Sequence, residues 1–249
     1  MNESASSLEN GLLPFDVCVK IASYLPVLDV CVLSRCSRYW RELCSSDSIW
    51  ESLARRRWPS AAFPRDSSSL VTEWWREVYA GKHREMARRA GAVVGFVNQS
   101  CGAESMEVGD YVEAIGELSS LEFAFADVRM FLFKPHLSVL LNLVALHYSI
   151  SCLQLPAWEV VEALKGCWIS ERQVCVKWWK LGRWFYGFRM MDETHSRRLT
   201  LADLPTKKGM EVLGVLHRGA IHEVLRVVIC VSSGGTSSSP WPHSSTQSD

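Results

Sequence analysis

Residues 13–53 read LPFDVCVKIASYLPVLDVCVLSRCSRYWRELCSSDSIWESL, and the punctuation of this stretch sets the fold around it. Pro14 suits the start of a helix, because the N–H it lacks would have no intrahelical partner there. Val17, Ile21, Tyr24 and Leu25 then recur at i, i+4, i+7 and i+8, the spacing of one apolar helix face. Pro26 stops that helix. Leu28–Leu33 predicts a second short helix, and Ser37–Cys44 a third carrying Trp40. Ser48-Ile49-Trp50-Glu51 has the capping-box arrangement and predicts a fourth with Trp50, Leu53 and Ala54 on its apolar side.

Helices this short are marginal alone in water, where about 12–15 residues are needed for stability. A block of this size makes a thin core. So much apolar surface on so thin a block calls for a partner surface.

The spacing resembles the F-box, the helical motif that docks on a Skp-type adaptor in cullin-based ubiquitin ligases. The positions that carry the resemblance are Leu13-Pro14, Asp16, Ile21, Leu25-Pro26, Val30, Leu33, Cys36, Trp40 and Trp50, all in register without gaps. Phe15, Cys18, Val19, Ala22 and Ser37 depart from the family pattern and are expected to soften adaptor affinity while leaving the frame intact. The segments RRRWPS and WWREVYAGKHREM are similar to those that commonly follow an F-box, and the flavour is similar to that of plant members. The resemblance covers under a fifth of the 249 residues. It implies a non-catalytic, substrate-recognition subunit of an SCF-type ligase, joined through the adaptor to cullin and RING subunits and holding an unknown substrate protein. It also implies that Leu13, Pro14, Val17, Ile21, Leu25, Val30 and Leu33 meet the adaptor, while Trp40 and Trp50 pack the block's own core.

Outward from this block, residues 1–11 are expected to be a disordered leader before a helical domain over 12–58. A linker follows over 59–71, with the Pro- and Ser-containing stretch AAFPRDSSS at its centre. Thr72–Ala90 predicts a helix with Trp75, Tyr79, Met86 and Ala90 on one face, and Ala92–Val97 a short strand. Asp110 with Glu113 forms a second capping box, opening a helix that carries Tyr111, Ile115, Leu118, Leu121, Phe125, Val128 and Leu132 at a 3.6-residue period and ends at Pro135. Leu137–Cys152 predicts a nearly all-apolar helix, and Pro156 and Gly166 frame another with Trp158, Val161 and Leu164 inward.

The period then shortens. Arg172–Lys180 and Arg183–Met190 predict a hairpin around Leu181-Gly182, Gly182 supplying positive φ. Trp178, Trp179, Trp184, Phe185, Tyr186 and Phe188 are expected to face one another across it, and Trp178, Trp179, Trp184 and Tyr186 are the candidate substrate contacts. Leu199–Leu204 predicts one helical turn, and Val212–Leu216 and Val224–Val231 predict strands. Eight of the last 18 residues are Ser, so 232–249 is expected to be disordered. The whole reads as an α+β chain: short orthogonal helices at the N-terminus, a helical region, then a small antiparallel sheet. Residues 72–231 form the expected α+β substrate-recognition domain. No repeat of 20–50 residues is present, which removes solenoids and propellers.

Composition narrows the function classes. Lys+Arg and Asp+Glu are both 27, and zero net charge disfavours a dedicated nucleic-acid binder. Local clusters (Arg55–Arg57; Lys82, His83, Arg84, Arg88 and Arg89) lie near Trp58, Trp74 and Trp75, the ingredients of single-strand binding. Interleaved Glu51, Glu73, Glu77 and Glu85 favour a solvated helix face instead. Single-stranded nucleic-acid binding and a non-ligase interaction module are the alternative readings.

Nine cysteines with no Cys-x-x-Cys pair, after a polar start that has no export signal, predict reduced thiols in a cytosolic or nuclear protein. The apolar run from Leu137 to Leu155 is interrupted by Asn142 and His147, so a core helix is expected rather than a membrane span. The sequence has no Gly-x-Ser-x-Gly, no phosphate-binding glycine loop and no His-Glu-x-x-His. No catalytic residue, metal site or cofactor is expected. His217 and His222 are spaced wrongly for one helix face, and Asp192-Glu193 beside His195 reads as a solvated turn.

Overall fold

The computed structural model describes residues 13–59, 75–100, 105–220 and 223–231. The expected leader 1–11, nearly all of the 59–71 linker, residues 72–74 and the tail 232–249 lie outside the described residues. In chain order the elements are α1 (Phe15–Tyr24), α2 (Val27–Leu33), α3 (Arg38–Cys44), α4 (Asp47–Arg57), α5 (Trp75–Ser100), β1 (Ser105–Glu107), α6 (Val108–Ser120), α7 (Phe125–Phe131), α8 (Val139–Ser151), α9 (Ala157–Gly166), β2 (Gln173–Lys180), β3 (Trp184–Phe185), β4 (Phe188–Arg189), β5 (Glu193–Thr200), α10 (Met210–Arg218) and β6 (Val224–Val231). The class is α+β: an N-terminal helical block, a helical body and a small antiparallel sheet. Two compact units divide the chain, Met1–Ala92 with Leu121–Phe131, and Val93–Ser120 with Leu132–Asp249.

In the first unit, Pro14 and Pro26 sit just ahead of α1 and α2, and their carbonyls accept the first helical N–H bonds. Ser37 caps α3 by accepting from the Trp40 N–H at 3.2 Å. The capping box expected at Ser48 does not form: α4 begins at Asp47 with Ser46 before it. Cys18, Ala22, Val30, Leu43, Cys44, Ile49, Trp50, Leu53 and Ala54 are buried. Trp50 Nε1 donates to the Cys44 carbonyl at 2.8 Å. Arg56 donates to the carbonyls of Ser23 and Leu25, both at 2.9 Å, satisfying the free C-terminal end of α1 in the manner cations commonly do.

Arg57, the last residue of α4, is buried, and its partners come from two other helices. Its guanidinium donates to Asp127 Oδ1 on α7 at 3.0 and 2.7 Å, and to the Tyr79 hydroxyl on α5 at 2.7 Å. His83 Nδ1 lies 3.2 Å away. Burial, and then the nearby Arg57 charge, hold the His83 imidazole below its ordinary range, so the ring stays neutral and able to accept. The cation also lies over the Trp58, Tyr79 and Phe131 rings at 4.6, 5.5 and 5.8 Å.

In the second unit, α8 is the apolar center: Val139 through Ser149 are all buried. Its polar interruptions are satisfied. Asn142 Nδ2 donates to the Leu132 carbonyl at 2.7 Å, and Arg172 bonds Asn142 Oδ1 and the Leu137 carbonyl. Ser149 donates to the Ala145 carbonyl, and His147 shares a 2.9 Å hydrogen bond with the Tyr111 hydroxyl. Among the described residues no helix is long and apolar enough to cross a membrane. The main sheet has the order β1-β6-β2-β5, all neighbors antiparallel. Met106, Val174, Val176, Trp178, Val227 and Ile229 are its buried residues.

Several expectations are corrected. Residues 92–97 continue α5, with Val93 and Val97 buried one helical turn apart; valines at i and i+4 suit a helix face as well as a strand. The single helix expected from Asp110 is two, α6 and α7, broken where Glu122 takes φ 51°. Asp110 lies inside the first turn of α6 rather than capping it. On α9, Val160, Ala163 and Leu164 face inward, while Trp158 is exposed. Gly166 is within the helix, and Trp168 takes the left-handed position at φ 59°.

The expected 172–190 hairpin is replaced by longer-range pairing. β2 pairs with β5, and β3 and β4 form a separate two-stranded ribbon. Its turn is Tyr186-Gly187, at φ 47° and 83°, and Gly182 is not among the positive-φ glycines. Gly182 is needed for another reason: a Cβ there would lie 1.9 Å from the Met190 carbonyl oxygen. Leu199 and Thr200 end β5, with turns rather than a helix after them. Residues 212–216 lie in α10, with Val212, Val215 and Leu216 buried at helical spacing.

Asp127→Ala leaves the Arg57 charge buried and unmatched, and is expected to destabilise the first unit by about 3–5 kcal/mol. Arg57→Met combined with Asp127→Leu is expected to recover much of that loss, as urea unfolding of each variant would measure. A pH effect is expected in the second unit. Burial, with His217 beside it, holds the His147 imidazole down at about 4 against an ordinary 6.5. Between those values the unfolded chain binds a proton that the folded chain refuses. Stability therefore falls as pH drops from about 6.5 to about 4, by up to roughly 3 kcal/mol. Unfolding curves at pH 7 and 4.5 should show this loss, and His147→Gln should flatten it.

Candidate functional site

The α1–α2 face inverts the usual division of a surface helix. Its small side chains, Cys18 and Ala22, point inward and are buried, while Val17, Ile21 and Tyr24 point out. Leu13, Phe15, Leu28 and Val32 extend the exposed apolar surface, with Tyr24 at 69% and Leu28 at 71% exposure. A concentration of exposed large apolar residues of this kind marks an interaction surface.

Of the expected adaptor contacts, Leu13, Pro14, Val17 and Ile21 lie on this face, and Leu25 and Leu33 are half-buried. Val30 departs from that set: it is fully buried and packs inside the block. Trp50 is buried, and Trp40 is half-buried, edge-on to Tyr39 at 5.5 Å. Sequence reasoning missed Phe15, Leu28 and Val32 as exposed members. Small residues at Cys18 and Ala22 were the available signal, since a helix that turns small side chains inward must turn its large ones out.

A second surface is the β3–β4 ribbon. Phe185 pairs with Phe188 and Trp184 with Arg189. Trp184, Phe185, Tyr186, Phe188, Met190 and Met191 are all exposed, Tyr186 at 88%. Residues opposite in register share a face, so apolar groups lie on both faces of the ribbon. Trp178 is not part of it: it is buried, stacked on His195 at 5.3 Å with 11° between the rings. Trp179 is half-buried with Arg226 over its ring.

Residues 172–200 contain seven Lys and Arg (172, 177, 180, 183, 189, 197 and 198) against Asp192 and Glu193. This segment is therefore strongly basic in a chain of zero net charge. Arg183 pairs with Glu223 at 2.9 Å and Arg189 with Asp192 at 3.1 Å. Lys177, Lys180 and Arg198 have no ion pair among the described residues. Asp192 also accepts from the Gly182 N–H at 2.8 Å. That bond, followed by Arg189, holds its carboxyl below the ordinary range. Glu193 lies 3.2 Å from His195. These acids thus order the turns around the ribbon.

The two basic clusters near the tryptophans are partly paired with acids of the same chain. Arg55 pairs with Glu51 at 2.8 Å, Arg57 is buried on Asp127, and Arg88 and Arg89 share Glu85, whose carboxyl they pull down to about 2. Trp74 lies outside the described residues. Among the described residues no group of three or more His, Cys, Asp or Glu is placed to hold a metal ion.

A family model described as F-box-like matches residues 11–56, the block that contains the inverted helix face. Over 65 residues, 26% of this chain, the sequence is 35% identical to F-box only protein 24 of Macaca fascicularis. Over 74 residues, 30% of this chain, it is 31% identical to F-box only protein 24 of Mus musculus. These matches span 11% and 12% of the relatives' own lengths. No solved structure matches. The chain therefore carries an F-box-like domain over residues 11–56. The relatives are mammalian, and neither supports the plant-like flavour of the motif.

Because the ribbon's apolar groups are exposed rather than part of the core, removing them should cost little stability. Trp184→Ser with Phe188→Ser and Met191→Ser is expected to change unfolding free energy by less than about 0.5 kcal/mol per site. The same variant should lose much of the binding of a hydrophobic dye, which fluorescence titration would measure.

Proposed function

We propose that this chain is a non-catalytic substrate-recognition subunit of an SCF-type ubiquitin ligase. The F-box-like block docks on a Skp-type adaptor, through which cullin and RING subunits join. The second unit holds a substrate protein, with the basic aromatic ribbon (Trp184, Tyr186 and their exposed neighbors, flanked by Trp179) as the contact surface. Such a subunit works by raising the effective concentration of the substrate near the charged enzyme.

The observation that carries this reading is the α1–α2 face, where Val17, Ile21, Tyr24, Leu28 and Val32 are exposed from helices that hide only small residues and Val30. Full burial of one Leu- or Ile-sized side chain contributes roughly 1.5–3 kcal/mol. A few of these positions would supply most of an interface's energy, as hot spots do.

Co-expression with a Skp-type adaptor, followed by size-exclusion chromatography with mass detection, tests the proposal. The wild-type chain is expected to form a one-to-one complex. Leu13→Ala with Pro14→Ala should weaken it, and Val17→Asp with Ile21→Asp should abolish it, while circular dichroism and Tm stay near the wild-type values. A folded wild-type chain that ignores the adaptor, or variants that bind as well as wild type, would overturn it.

A further inference from the structure

Cys175 on β2 and Cys230 on β6 are direct cross-strand partners in the main sheet. Their flanking partners Val176 and Ile229 are buried together on the inner face. Side chains alternate along a strand, so both cysteines point to the outward face. Both are half-buried, not sealed in the core, and both are free thiols. Directly opposite residues of an antiparallel pair have Cα atoms about 4.5 or 5.5 Å apart. Both spacings fall inside the roughly 4.4–6.8 Å window that a disulfide spans without backbone movement. Cys175 Sγ lies 3.4 Å from Ser196 Oγ, turned toward β5, so closure requires its side chain to rotate toward β6.

We propose that Cys175 and Cys230 form a reversible cross-strand dithiol–disulfide couple on the outward face of the sheet. With glutathione disulfide as the oxidant, one thiolate attacks a glutathione sulfur and releases one glutathione thiolate, leaving a mixed disulfide. The second thiolate then attacks the protein sulfur and displaces the second glutathione. Two thiols and one glutathione disulfide give one protein disulfide and two glutathiones; the protein loses two electrons and two protons, which glutathione gains. Burial holds the Cys230 thiol above its ordinary range; Lys177, one alternation along the same face, opposes this, while Cys175 and Glu107 add to it. Such a bond ties the two central strands of the sheet and restricts the unfolded chain over the long loop between them.

The test uses the purified full chain, equilibrated across ratios of reduced to oxidised glutathione, acid-quenched, alkylated and mapped by mass spectrometry. The expected result is an intramolecular Cys175–Cys230 linked peptide whose yield is independent of protein concentration and which dithiothreitol removes. Oxidation should raise Tm by several degrees. Cys175→Ser and Cys230→Ser should each abolish both effects, whereas Cys152→Ser should leave them intact. If both cysteines remain separately alkylated at the most oxidising ratio, or each links to another cysteine, the proposal fails.

Discussion

The buried guanidinium of Arg57 is the constraint on which the first unit depends. A charge removed from water must be matched by an opposite charge and by acceptors for its remaining N–H groups. Here Asp127, Tyr79 and His83 supply the match, and each comes from outside the N-terminal block. Four short helices form too thin a core to stand alone. The requirement to satisfy Arg57 recruits α5 and the returning segment that carries α7, which is why this unit is discontinuous in sequence. Asp127 Oδ2 is buried without a hydrogen-bond partner, which makes the arrangement intolerant of losing the cation.

With that anchor in place, the block can leave its α1–α2 face bare. Cys18 and Ala22 let α1 lie close against α3 and α4, and the larger aliphatic groups remain outside. Large apolar side chains left in water contribute nothing to the fold of the isolated chain. They gain their value only when a second protein removes them from solvent. The F-box-like match spans the block that bears this exposed face.

Much of this was legible in the sequence, and the misses share a physical cause. Prolines and apolar spacing act locally, so Pro14, Pro26 and the Val17–Ile21 pattern placed the first helices correctly. The long apolar helix around Leu143 and the strand at Val224–Val231 were equally readable. Local pairing failed for the aromatic segment: β2 prefers β5 and β6, and the nearby residues fold into their own ribbon around Tyr186-Gly187. Valine-rich pieces at 92–97 and 212–216 fit either period, and tertiary packing chose helix. Arg57 looked like one member of a surface basic run, because nothing local marks a partner 70 residues away. The Cys175–Cys230 pairing was invisible for the same reason.

Hydrogen–deuterium exchange of the full chain, alone and with a Skp-type adaptor, reads out whether the α1–α2 face is the docking surface. Adaptor is expected to slow exchange in peptides covering α1 and α2 and to leave the ribbon around Tyr186 unchanged. Exchange that is unaltered across residues 13–33, or protection found only in the second unit, would contradict it.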